Sequence, residues 1–118
     1  MAKPKVVVID GGYDNYDVEK ALVDAAGGEL VFRFCEGDEN KVVEAVRDAT
    51  VVLARQSPVS ARVIAAMPDT AKAIVRYGIG YDNVDTDAAR KRGIGVANTP
   101  GYGSDAVSLH AMGLLLAV

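Results

Sequence analysis

Four short loops hold the glycines and side chains able to bind or react: Asp10-Gly11-Gly12, Arg55-Gln56-Ser57-Pro58, Tyr77-Gly78-Ile79-Gly80-Tyr81-Asp82-Asn83 and Asn98-Thr99-Pro100-Gly101. The third is the most informative. Gly78-Ile79-Gly80 lets the backbone turn sharply with its amides exposed, and such amides hold a carboxylate or phosphate through directed hydrogen bonds. Two glycines also suit a plain tight turn that needs positive φ, and the residues alone leave both readings open. As a dinucleotide fingerprint the segment fails. Asn83 stands where Gly-x-Gly-x-x-Gly needs its last glycine, and the next strand ends at Ala97-Asn98 instead of an acid.

Arg55 can hold a second anionic group with its planar fork, although a lone arginine is also at home in solvent. Arg76 reads as structural, paired with Asp82 across the turn. His110 lies in an apolar stretch without a nearby carboxylate in sequence, so a packed or interfacial imidazole is expected and no chemical role. Two other ligand-binding designs on such loops can be tested. A phosphoryl-receiving domain needs an aspartate after the third strand and a lysine after the fifth, where this chain has Arg55 and Asn98. A flavin-phosphate loop after the first strand would be repelled by the acids of Asp10-Gly-Gly-Tyr-Asp-Asn15.

These loops are expected at the ends of strands. Residues 5–10 are a β-branched run stopped by Gly11-Gly12, as a central parallel strand requires. Val18, Ala21, Leu22 and Ala25 then recur at helical spacing until Gly27-Gly28. The unit repeats: residues 30–34 as strand, Asp38 as cap, and Val42, Val43 and Val46 as the apolar stripe of a helix. Residues 51–54 form the third strand, followed by a Ser60-capped helix through Ala66 that Pro68 ends. Residues 73–76 form the fourth, followed by a helix capped by Asp85 or Thr86 and closed by Lys91-Arg92-Gly93. Residues 94–97 form the fifth. Five strands alternating with helices imply a doubly wound α/β sheet, because parallel strands need right-handed helical crossovers. The last segment, from Asp105, is apolar on nearly every face and stops within Leu-Leu-Leu-Ala-Val, which reads as a cut chain.

Composition narrows the function classes. With 118 residues, half of them hydrophobic, one compact domain is expected. Thirteen basic against 16 acidic residues give a net charge of -3, which disfavours nucleic acid and anionic membranes as partners. One cysteine, Cys35, and one histidine make a disulfide or an intrachain zinc site implausible and fit a reducing, cytoplasmic setting. The start, Met-Ala-Lys-Pro-Lys, precedes an apolar run too short for a signal peptide or a membrane span.

The stretch Val75-Arg-Tyr-Gly-Ile-Gly-Tyr-Asp-Asn-Val-Asp85, with Ala-Ala-Arg-Lys-Arg-Gly-Ile-Gly-Val96 and Asn98-Thr-Pro100, closely resembles the D-isomer-specific 2-hydroxyacid dehydrogenases. It is most similar to the branch of phosphoglycerate dehydrogenases and C-terminal-binding-protein corepressors. The likeness is dense from Val51 onward; before that only the strand-helix rhythm agrees. It implies a flavodoxin-like, five-stranded substrate domain of order 2-1-3-4-5, split in sequence by a cofactor domain that binds NAD or NADP. Residues 1–102 would be the first segment of the substrate domain, and 103–118 the helix crossing to the cofactor domain. The resemblance implies that Gly78, Ile79 and Gly80 hold the carboxylate of a small 2-hydroxy or 2-oxo acid and that Arg55 contacts its far end. It also implies that Asp82 and Asn83 shape the turn and that Val107 touches the nicotinamide. The family's catalytic arginine, glutamate and histidine would lie beyond Val118, so no residue here is assigned a catalytic role, and the chain alone is expected to bind no cofactor and to be inactive. Leu109 stands where relatives usually carry an acid. The crossing helix is expected to dock as a fifth helix or to swap between chains, giving a monomer or a homodimer. The alternative reading is a free-standing binding or structural module of the same fold.

Overall fold

The computed structural model describes residues 3–101 and 103–118. Met1 and Ala2, at the start of the leader reading, and Tyr102, at the expected domain boundary, lie outside the described residues. The elements run β1 (Lys5–Val8), α1 (Asp17–Ala25), β2 (Glu29–Phe32), α2 (Glu39–Ala45), β3 (Val51–Ala54), α3 (Ala61–Ala66), β4 (Ala73–Arg76), α4 (Thr86–Lys91), β5 (Gly95–Ala97) and α5 (Ser104–Ala117). All five strands are parallel, in the order β2-β1-β3-β4-β5.

That order fixes the layers. The chain moves one way from β1 to β2 and the opposite way from β2 to β3, so right-handed crossovers place α1 on one face and α2, α3 and α4 on the other. Register shows what the second group covers. Val31, Val7, Val52, Ile74 and Val96 face one another across the strands. The three central members are fully buried. They pack with Val42, Val43 and Val46 of the second unit, Val63 and Ile64 of α3 and Ala89 of α4 in one apolar core. The opposite face is thinner. Val8 is fully buried, but Val75 in the next-but-one strand is half-buried, and Ala97 and Phe32 at the two edges are exposed.

Helix starts follow local chemistry. The Asp38 carboxylate accepts from the Asn40 N–H at 2.9 Å, the Ser60 hydroxyl oxygen from Val63 at 3.4 Å, and the Asp85 carboxylate from Ala88 at 2.9 Å. Asp85, and not Thr86, is therefore the cap of α4. Arg92 at the end of α4 has a second task, donating to the carbonyl oxygens of Ile64 and Met67 in the last turn and C-cap of α3.

Three expectations change. The β1 and β2 ladders are shorter than residues 5–10 and 30–34, although Arg33 and Cys35 still donate to Val8 and Ile9. The stripe Val18, Ala21, Leu22 and Ala25 forms a helix but faces away from the sheet: Val18 is 68% and Leu22 67% exposed. Tyr16, Glu19 and Val23 are the half-buried positions instead, because α1 meets the sheet mainly at the edge strand β2. Finally, α5 has no buried residue, and with it the molecule reaches 59 Å along its longest axis against 30 and 24 Å along the others, so it is not docked as a fifth helix.

Candidate functional site

The loops that follow β1, β3, β4 and β5 meet at the carboxyl ends of the strands and are bonded to one another. Asp10 is the first fastening. It is only 8% exposed, and its Oδ2 accepts from the N–H groups of Arg55 at 2.7 Å, Gln56 at 2.9 Å and Ser57 at 2.9 Å. Its Oδ1 accepts from the Ser57 hydroxyl, whose oxygen accepts from the Gly37 N–H at 3.1 Å. Burial on its own would raise the carboxyl, but the Ser57 hydroxyl and the three amides outweigh it and hold Asp10 below its ordinary value. An acid that reads in sequence as a repulsive charge is thus consumed in shaping the β3–α3 loop.

That loop presents Arg55. One guanidinium nitrogen, Nη1, donates to the Gly11 carbonyl at 3.3 Å, and the group lies over the Tyr13 ring, 5.8 Å from its centroid. The Nε–Nη2 edge has no partner among the described residues. Two N–H groups in a plane remain available there to a carboxylate or phosphate.

The glycine turn is held from both sides. Gly78 has φ +149°, which side chains rarely adopt, and a Cβ there would sit 1.6 Å from Arg76 Nη1 and displace that guanidinium, so glycine is favoured. Its N–H donates to Thr99 Oγ1 at 2.6 Å, and the Thr99 N–H returns a bond to the Gly78 carbonyl at 2.9 Å. Asn98 Nδ2 donates to the Ile79 carbonyl at 2.8 Å, and Asn83 Nδ2 reaches the Ser57 carbonyl at 2.9 Å. Asn83 therefore ties the turn to the Arg55 loop, while Asp82 is exposed. Arg76 does not pair with Asp82. Its Nη1 donates to the Tyr77 carbonyl at 3.0 Å, because its side chain folds into the space that Gly78 leaves open.

Of the three amides expected to face an anion, that of Gly78 is engaged by Thr99. Those of Ile79 and Gly80 have no partner among the described residues, and both residues are exposed. A Cβ at Gly80 would meet nothing within 4 Å. Two adjacent unpaired amides and a seated arginine on the neighbouring strand end suit a small anion with a second polar group. They do not suit a dinucleotide. A pyrophosphate cradle needs a glycine turn that opens directly into a helix, whereas α4 starts only at Thr86 and has six residues. Val107 is 69% exposed on α5. His110, on the same helix, is exposed as well, not packed. Among the described residues no cluster of His, Cys, Asp and Glu could hold a metal, and no helix is long and apolar enough to cross a membrane.

Sequence reading missed Asp10, Ser57 and Thr99. For Asp10 the available signal was an acid directly after the apolar run 6–9, where a carboxylate at a buried strand end must find donors.

Comparison with known proteins agrees with this fold. Residues 17–111 match the model of the D-isomer specific 2-hydroxyacid dehydrogenase catalytic domain. The D-3-phosphoglycerate dehydrogenase of Mycobacterium tuberculosis is 37% identical over 119 aligned positions, which take in 99% of this chain and 21% of that protein. The glyoxylate reductase of Thermococcus litoralis is 55% identical over 47 positions, 40% of this chain and 14% of the relative. The crystal structure of 3-phosphoglycerate dehydrogenase from Entamoeba histolytica with NAD+ bound superposes with a TM-score of 0.81 at 32% identity, covering 97% of this chain and 38% of the other. The chain therefore spans about a fifth of the mycobacterial relative and well under half of the Entamoeba enzyme. The family match begins at residue 17, so the likeness is not confined to the chain from Val51 onward. By its family match, its parallel sheet and its strand-end loops, this chain belongs to the D-isomer specific 2-hydroxyacid dehydrogenases.

Proposed function

We propose that this chain is the substrate-binding segment of an NAD- or NADP-dependent D-2-hydroxyacid dehydrogenase and that it recognises a small 2-hydroxy or 2-oxo acid. The Ile79 and Gly80 N–H groups receive the carboxylate, with Thr99 and Asn98 holding the turn open. Arg55 receives the far end of the substrate with its free edge. The observation that carries this reading is the pair of unpaired amides beside a seated arginine, at the strand ends of a sheet whose family is established.

The residues here bind and orient; they do not carry out the reaction. Oxidising a 2-hydroxy acid requires a hydride acceptor and a base at the hydroxyl. The glycine turn is too small for the first, and among the described residues the strand-end loops hold no histidine or lysine to serve as the second. Reaction is accordingly assigned to the whole protein, in a cytoplasmic setting, and the chain alone is inactive. Residues 1–102 form the substrate segment, and 103–118 the helix that leads to the cofactor domain, where Val107 meets the nicotinamide.

An amide-resolved NMR titration with oxalate, a planar mimic of a 2-oxo acid, tests the reading. Saturable shifts at Ile79 and Gly80, with the Gly78 amide moving less because Thr99 already holds it, support it. A dispersed spectrum in which those two amides do not respond overturns it.

A further inference from the structure

The loop between β1 and α1 belongs to neither anion group, yet it touches both. Gly11 supplies the carbonyl that Arg55 Nη1 bonds at 3.3 Å. Gly12 has φ +119°, and a Cβ there would lie 2.4 Å from the same nitrogen, so the guanidinium rests directly on bare backbone. Tyr13 follows. Its ring lies under the guanidinium carbon at 5.8 Å, and its centroid is 5.2 Å from that of Tyr77, the residue that opens the glycine turn. Tyr16 braces it edge-on at 5.9 Å.

We propose that Tyr13 is a positioning residue for Arg55. Its ring and the Gly11-Gly12 backbone seat the guanidinium on one edge and leave the Nε–Nη2 edge to a second anionic group of the substrate. A free arginine side chain loses rotamer entropy whenever it captures an anion; one already seated loses less. The loop thereby favours acids with two anionic groups over acids with one. This rests on the reading of Arg55 given above, and it adds the device that orients it.

The test uses the full chain with three tyrosine variants. In the ligand-free protein, Tyr13→Ala and Tyr13→Leu should lower the order of the Arg55 Nε–H measured by 15N relaxation, and Tyr13→Phe should retain it, because the ring and not the hydroxyl makes the contact. Titrated with inorganic phosphate, Tyr13→Ala should weaken the response at Arg55 by about two- to fivefold, the equivalent of a half-exposed cation–π contact. Oxalate binding at Ile79 and Gly80 should not change. Equal Arg55 order in Tyr13→Ala and the parent chain overturns the proposal, and so does an equal loss at both sites, which would mark general loosening. A parent chain that ignores oxalate refutes the carboxylate reading, while the ligand-free order of Arg55 still decides this one.

Discussion

Gly78 and Gly80 are two residues apart and chemically identical, yet a methyl group would meet the Arg76 guanidinium at one and nothing at the other. Gly78→Ala is therefore expected to destabilise the chain by about 1–3 kcal/mol, from positive φ and displacement of Arg76 together. Gly80→Ala should be neutral or gain up to about 1 kcal/mol through the unfolded state. Urea midpoints of the two variants check this, and equal losses would disprove the difference in surroundings. Asp10 carries the larger consequence. Asp10→Ala leaves three amides and a hydroxyl without their acceptor and should cost about 3 kcal/mol. Because the folded carboxyl lies below its ordinary value of 3.8, its contribution is complete above that pH and fades as pH falls through the lower, folded value. The stability gap between the parent and Asp10→Asn should accordingly narrow below about pH 4 and stay constant from pH 5 to 7. A gap that widens toward acid would contradict the sign.

Among the elements, burial is one-sided. The face under α2, α3 and α4 holds the core, and a truncation there such as Ile74→Ala should cost about 2–5 kcal/mol. Leu22→Ala, on the outward side of α1, should change stability by no more than about 0.5 kcal/mol. Hydrogen exchange should follow the same division, with β3 amides slowest and α1 and α5 amides fastest, since neither of those helices has a buried residue. Slow exchange in α1 together with a large loss in Leu22→Ala would show that the helix turns its apolar side inward in solution.

At the scale of the molecule the chain exposes more apolar surface than a monomer of this size usually tolerates. Along α5, Val107, Leu109, Met112, Leu114, Leu115 and Leu116 are all more than half exposed. We expect self-association through this helix: light scattering should give a mass that rises with concentration toward two chains, and Leu109→Glu with Leu116→Glu should return it to one. A one-chain mass at high concentration would exclude a swapped dimer. Leu109 adds to that tendency, since Asp105 is the helix's only acid.

How much could be read in advance follows from how local each cause is. The β-branched runs, the Asp38 and Ser60 caps and the Gly93 stop each act within a few residues, so strands 51–54 and 73–76 and α3 appear where their residues place them. Alternation of strands and helices made the parallel sheet legible, but its strand order came from the family likeness, and the glycine turn was legible because its composition and that likeness coincide. Which side of α1 faces the sheet was not legible. Its apolar stripe marks Val18 and Leu22 as the side to be covered, and only the helix's placement against the edge strand turns them outward. The same holds for the fastenings of the site. Asp10 is 45 residues from the Arg55 amide and Thr99 is 21 from Gly78, and pairings over such distances exist only once neighbouring strand ends are side by side. The sequence by itself determined the parallel sheet and the loops at its carboxyl end. Tertiary structure decided which amides remain free for an anion, because a hydrogen bond made inside the fold removes its donor from the site.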